Sequence, residues 1–349
     1  MAPTVFPGND WESARAAPDV DTERMDAAVS AVVGRPVDHG VTNALLVVHR
    51  GRIVAERYAP GAAADTTHIS WSMAKSITHA LVGIAVGDGL LSPDRSDLLP
   101  QWAGDARSDI TLRHLLNMRS GLEWVEDYVD DSVSHVIEML FGESEHKGDH
   151  AAYAAAKPLV AAPGTEWVYS SGATNIVARI LANALGEPPG GHSVVRDFMQ
   201  ARLFDRIGMS TAVPKFDAAG TFVGSSYVYA SARDFARFGW LYLNDGTWNG
   251  ERILPPGWVD DARRQVAFDD EMGYGYGSQW WIPRQDPGAL MAHGYEGQIT
   301  WVSPGRELVV VHLGRTPAVH GAALRDRIWR IVGAFPVADV PIGHDGAHD

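Results

Sequence analysis

The chain contains no cysteine. That absence excludes disulfides, thiolate nucleophiles and cysteine-ligated metals together. Lysine is scarce as well: of 29 basic residues only Lys75, Lys147, Lys157 and Lys215 are lysine, and the rest are arginine. No apolar run reaches the roughly 18 residues that a membrane span requires. The opening segment MAPTVFPGNDWESARAAPDV has no basic start followed by an apolar stretch, so no secretory signal is expected. Positive charge is in deficit, with a formal net charge of -14, which argues against nucleic acid or an anionic membrane as partner. A Gly-x-Ser-x-Gly elbow is also missing, which disfavours an α/β-hydrolase arrangement. The expectation is a soluble cytoplasmic protein. Its oligomeric state is left open.

What is present is a chain of 349 residues, 46% of them hydrophobic, long enough for two domains or one domain with an insertion. Residues 1–20 read as an irregular arm. Asp21 to Val33 has helical spacing, with Met25, Ala28, Val29 and Val32 on one face. NALLVVHRGRIVAERYA reads as a hairpin turning at His49-Arg50-Gly51-Arg52. A buried helix follows from Ser72 to Val86, stopped by Gly87-Asp88-Gly89. From about Asp94 the pattern turns helical, with TLRHLLNMRSGLEW and TNIVARILANALG its clearest helices, and SARDFARFGWLYLNDG follows later. ALMAHGYEGQITWVSPGRELVVVHLGR predicts three strands, and GAALRDRIWRIVGAF a closing helix.

Strands at both ends and helices in the middle predict an α+β fold, one antiparallel sheet with an inserted helical domain. The expected units are an α/β domain of residues 21–93 plus 215–336, a helical domain of 94–214, and a frayed tail of 337–349.

Three short stretches carry chemistry. In ISWSMAKSITH, Ser72 and Lys75 are three residues apart, so a helix puts them on one face within contact. An ammonium can lose its proton when desolvated and a guanidinium cannot, which explains a lysine in an arginine-preferring chain. The bland reading of the pair is a capping serine beside a snorkelling lysine. In EWVYSSGATN, Tyr169 ends an extended stretch before a helix beginning near Ala173, and Ser171 points the same way or caps that helix. In LMAHGYEGQITW, Gly294 and Gly297 mark close approach of something to a strand, whose N–H could complete an oxyanion hole.

Ser72-Met-Ala-Lys75, Tyr169-Ser-Ser171 and Ala292-His293-Gly294 resemble, in order and approximate spacing, the motifs of the serine β-lactamase-like, penicillin-recognising hydrolases. The resemblance covers roughly residues 20 to 335. It is closest to the class C-like branch, with esterases and 6-aminohexanoate-oligomer hydrolases, to which EDYVDD, YGYGSQWW and HGYEGQ are also similar. It implies a β-lactamase/transpeptidase-like fold and a serine hydrolase that needs no cofactor or metal and acts through a Ser72 acyl-enzyme on small-molecule carboxylic esters, and secondarily on linear amides such as 6-aminohexanoate oligomers. Lys75 and Tyr169 then handle protons, and backbone N–H groups of Ser72 and Tyr295 hold the oxyanion. Ser171, His293, Gly294 and a loop tyrosine, Tyr128, contact substrate.

Two departures bear on substrate. Ser171 stands where β-lactamases often carry asparagine, and Ala292 takes the place of the third motif's lysine. A shifted register, His293-Gly294-Tyr295, would put histidine first. A protonated His293 could partly replace the missing cation below pH about 6.5. Efficient β-lactam turnover is therefore disfavoured, and a β-lactamase or D-amino-acid peptidase of the same fold, or a penicillin-binding-like ligand-binding protein without turnover, are the alternatives. His146 and His150 have metal-like spacing but read as solvated loop histidines. Of Trp280 and Trp281, at least one is expected in the core.

Overall fold

The structure, a computed structural model, describes residues 4–128 and 134–337. The arm's first three residues and the tail beyond Val337 lie outside the described residues. Its centre is an eight-stranded antiparallel sheet: β1 (Val41–His49), β2 (Arg52–Tyr58), β3 (Ala267–Asp269), β4 (Tyr274–Tyr276), β5 (Trp281–Ile282), β6 (Leu290–Gly294), β7 (Gln298–Ser303) and β8 (Leu308–Arg315). Their spatial order is β2-β1-β8-β7-β6-β5-β4-β3, so β1 from the start of the chain pairs with β8 from its end. The β1–β2 turn is the expected one, with Arg50 and Gly51 both at positive φ. Gly51 has no substitute there, since a Cβ would lie 2.2 Å from the Val5 carbonyl oxygen.

Helices cover both faces of the sheet. Along β7, Thr300 and Val302 meet Gly239 of the helix Ala232–Leu243, whereas Trp301 between them stacks on Trp329 of Gly321–Val332. That alternation is the pleat itself. Because neither face meets water, β8 reads as an almost unbroken apolar run, LVVVHLG, every residue of it buried.

Between β2 and β3 the chain is mostly helical: α1 (Met73–Gly87), α2 (Leu112–Leu116), α3 (His135–Phe141), α4 (His150–Ala155) and α5 (Ser171–Ala184). The helix α1 packs against α5 on one side and β6 on the other. Helix, helix start and strand thus meet at one point. The sequence pattern overextends α2, which stops at Leu116 because Met118 and Gly121 turn the chain at positive φ. It also misses β3, β4 and β5, strands of two or three residues in the glycine-rich segment 267–282.

His150 is not a solvated loop residue. It is buried in the first turn of α4, 4.0 Å from Asp217. No group of three or more metal-binding side chains occurs among the described residues, and no described helix is long and apolar enough to cross a membrane.

Candidate active site

Ser72 opens α1 but does not cap it. Trp71 before it sits at φ 43, a region unfavourable for a bulky residue, and Ser72 is already helical at φ -64, ψ -3. Its hydroxyl therefore makes no bond to the helix backbone and faces Lys75, whose Nζ is 2.9 Å away. Lys75 is buried, and Nζ also contacts Ser171 Oγ at 2.9 Å and the Ser225 carbonyl at 3.1 Å. Burial pushes the Lys75 ammonium down to about 8, against the opposing pull of Glu126.

Helix α5 begins at Ser171, two residues earlier than expected, and Ser170 is its cap, accepting from the Ala173 N–H at 3.0 Å. Ser171 is thereby released from capping and turns its hydroxyl to Lys75 on one side and Glu126 on the other. Tyr169 lies just before this start. Its ring centre is 4.9 Å from Lys75 Nζ, it stacks on Trp281 at 5.5 Å, and its hydroxyl reaches Ser72. Burial, then the Glu126 charge, raise its phenol well above the ordinary tyrosine range.

Gly294 at the end of β6 closes the third side. A Cβ there would lie 2.3 Å from the Ser70 carbonyl and 3.1 Å from the Ser72 nitrogen, so the strand end lies directly against the Ser72 backbone. The next residue, Tyr295, lies edge-on to Trp71 at 5.7 Å and is stacked on Tyr128 at 5.0 Å. Its turn is held by Gln298, whose Nε2 donates to the Tyr295 and Gly314 carbonyls. Burial, then Arg325, push His293 down to about 3, which runs against the expectation of a protonated His293 there.

These groups line a cavity of about 250 Å³ formed by Ser72, Glu126, Tyr128, Tyr169, Asp269, Glu271, Met272, Trp281, His293 and Tyr295. Trp280, in contrast, is wholly in the core against Phe238 and Tyr242. Four lining residues escape a motif search: Glu126, Asp269, Glu271 and Met272. Glu126 stands in the EDYVDD stretch that resembles the oligomer hydrolases, and that was its one available signal. Its carboxylate gathers Trp124 Nε1 (2.6 Å), the Ser171 N–H (2.8 Å), the Tyr128 hydroxyl (3.0 Å) and the Ser171 hydroxyl.

The family model described as beta-lactamase matches residues 29–332. The chain is 27% identical over 320 residues to a 6-aminohexanoate-dimer hydrolase from Paenarthrobacter ureafaciens, covering 86% of this chain and 80% of that protein. A solved Bacillus anthracis structure, provisionally assigned as a 6-aminohexanoate-dimer hydrolase, superposes with a TM-score of 0.75 at 24% identity, covering 95% of this chain and 89% of the other. A family VIII carboxylesterase gives 0.67 at 16% identity, covering 91% and 99%. Likenesses at such low identity establish the fold, a β-lactamase-like mixture of helices and antiparallel sheet.

Proposed function

The chain belongs to the β-lactamase family and is a hydrolase, and we propose that it cleaves carboxylic esters and linear amides through an acyl-enzyme on Ser72. The observation that carries this reading is the buried Lys75 amine, 2.9 Å from the Ser72 hydroxyl. Nucleophilic serine chemistry needs a base in that place. With a pKa near 8, a useful fraction of Lys75 is neutral at ordinary pH, whereas the raised Tyr169 phenol stays protonated. Lys75 is therefore the resting base and Tyr169 the acid.

In the proposed sequence Ser72 Oγ attacks the carbonyl and its proton passes to Lys75. The oxyanion is held by the N–H groups of Ser72 and Tyr295, beside the close contact at Gly294; one such donor contributes on the order of 100-fold or more. Tyr169 protonates the leaving group and is reprotonated from Lys75. Water then attacks the acyl group with the same bases reversed.

The cavity walls support a substrate class. Three carboxylates line it and, among the described residues, no guanidinium does, so an anionic β-lactam is disfavoured and a neutral or ammonium-bearing chain is not. A linear 6-aminohexanoate oligomer presents an ammonium at its amino end, with its carboxylate at the far end of the chain. The Tyr128 proton is committed to Glu126, which leaves its oxygen free to accept from an amide N–H, a group esters lack. The test is kcat/KM for p-nitrophenyl butyrate, 6-aminohexanoate dimer and a chromogenic cephalosporin. Ester and dimer are expected to exceed the cephalosporin; the reverse order overturns the substrate reading. A burst of acylation without turnover on all three would instead mark a ligand-binding protein.

A further inference from the structure

Four donors converge on Glu126, and they divide by type. The two that can only donate, the Trp124 indole and the Ser171 amide, lie on Oε2, while the two hydroxyls, Tyr128 and Ser171, lie on Oε1. A carboxylate can only accept, so the Ser171 hydroxyl gives its single proton to Glu126. It is then left as an acceptor toward Lys75. The Ser225 carbonyl is likewise an acceptor only. As an ammonium, Lys75 donates to Ser72, Ser171 and Ser225 alike; once it is the neutral amine, its two N–H groups stay on Ser171 and Ser225 and the position facing Ser72 is the one left for the lone pair.

We propose that Glu126 is a positioning residue that sets the direction of this hydrogen-bond chain, keeping the lone pair of Lys75 for the Ser72 hydroxyl. Glu126 touches neither nucleophile nor base. It acts through Ser171, and the proposal rests on the serine-hydrolase reading above. Because the same carboxylate holds Tyr128, it also ties the loop carrying that tyrosine to the catalytic helix start. The titratable groups around Lys75 and Glu126 are Tyr128, Tyr169 and Tyr276, with Asp269, Glu271 and His293 on the cavity wall. Among the charges acting on Lys75, that of Glu126 is the one that holds its proton more tightly.

The variant Glu126→Gln separates direction from shape. Its amide must turn its oxygen to the indole and the backbone N–H, since neither can reverse. The NH₂ then faces the two hydroxyls, which can. Ser171 must accept from it, and its proton swings toward Lys75, where it competes with Ser72 for the lone pair. The expected result is a loss of kcat on p-nitrophenyl butyrate of tenfold or more, part of the roughly 100- to 10,000-fold that a positioned base contributes. KM should change little. Loss of the charge also lets Lys75 release its proton more easily, so the rising limb of the pH profile moves to lower pH.

The second arm is Glu126→Gln in a Ser171→Ala background, where no hydroxyl remains to be misdirected. The double variant is expected to match Ser171→Ala alone in kcat, its rising limb still moved to lower pH by the lost charge. Wild-type kcat with an unmoved limb in Glu126→Gln overturns the proposal, as does a full further loss in the double variant. If Glu126→Gln does not fold, Ser171→Ala takes its place: reduced kcat at unchanged KM supports the chain, and wild-type kcat breaks it. The Ser72→Ala control tells the two readings apart, because an active Ser72→Ala variant removes the acyl-enzyme scheme itself.

Discussion

Two helix starts in this protein carry serine, and they use it in opposite ways. At the start of α5, Ser170 has extended geometry, φ -145 and ψ 114, and its hydroxyl caps the backbone. At the start of α1, Ser72 is already wound into the helix and cannot reach back to a backbone N–H. Its hydroxyl goes to Lys75 instead. A helix-terminal serine caps when its own dihedrals let it, and its hydroxyl is left for other partners when they do not. Here the unfavourable Trp71 conformation and the close approach of Gly294 enforce the second case.

The sharpest way to break that contrast is to remove each hydroxyl. Ser72→Ala is expected to lower ester hydrolysis roughly 10,000-fold or more while the melting curve stays native. Quenched reactions of the wild type should show the acyl mass on the peptide containing Ser72. Residual activity above a few per cent would place the nucleophile elsewhere.

Next in size is the base. Lys75→Arg should be nearly as damaging as Lys75→Ala, a loss of roughly 100- to 10,000-fold, because a guanidinium keeps its proton and is too broad for the space between Ser72, Ser171 and Ser225. A half-active arginine variant would mean that the position needs only charge.

The pH profile sharpens the same point. A base with pKa about 8 makes kcat/KM rise with pH through 8 and level above it. The linkage has a definite sign. The folded Lys75 is depressed below its unfolded value of 10.5, so between about 8 and 10.5 the unfolded chain binds more protons. This group's contribution to stability therefore increases with pH across that window. A flat kcat/KM profile between pH 7 and 9 would exclude Lys75 as the titrating base.

Tyr128→Phe should cost about tenfold on an amide, the loss of about one hydrogen bond, and little on an ester. Equal losses on both would remove its amide-specific role. The smallest effect is expected at the other helix start: Ser170→Ala should cost about 1 kcal/mol of unfolding free energy with kcat nearly unchanged. A collapse of kcat there would erase the distinction between the two serines.

The Ser72–Lys75 pair, the hairpin and the three last strands could be read from the sequence because each is local. A spacing of three on a helix, or alternation along a strand, fixes which side chains are neighbours whatever else the fold does. The strands β3 to β5 at one side of the sheet are too short to show any period, and α2 ends where positive φ values overrule its apolar spacing. Glu126 could not be found by spacing at all. It is 45 residues from Ser171 and meets it because the segment after α2 folds back over the start of α5. The sequence by itself determined the fold class and the pairing of Ser72 with its lysine. Only the tertiary structure decided that Ser170 rather than Ser171 caps α5, that burial pushes His293 down, and that carboxylates line the cavity. Those outcomes depend on burial and on partners brought together across the chain, and neither is encoded in any single stretch of residues.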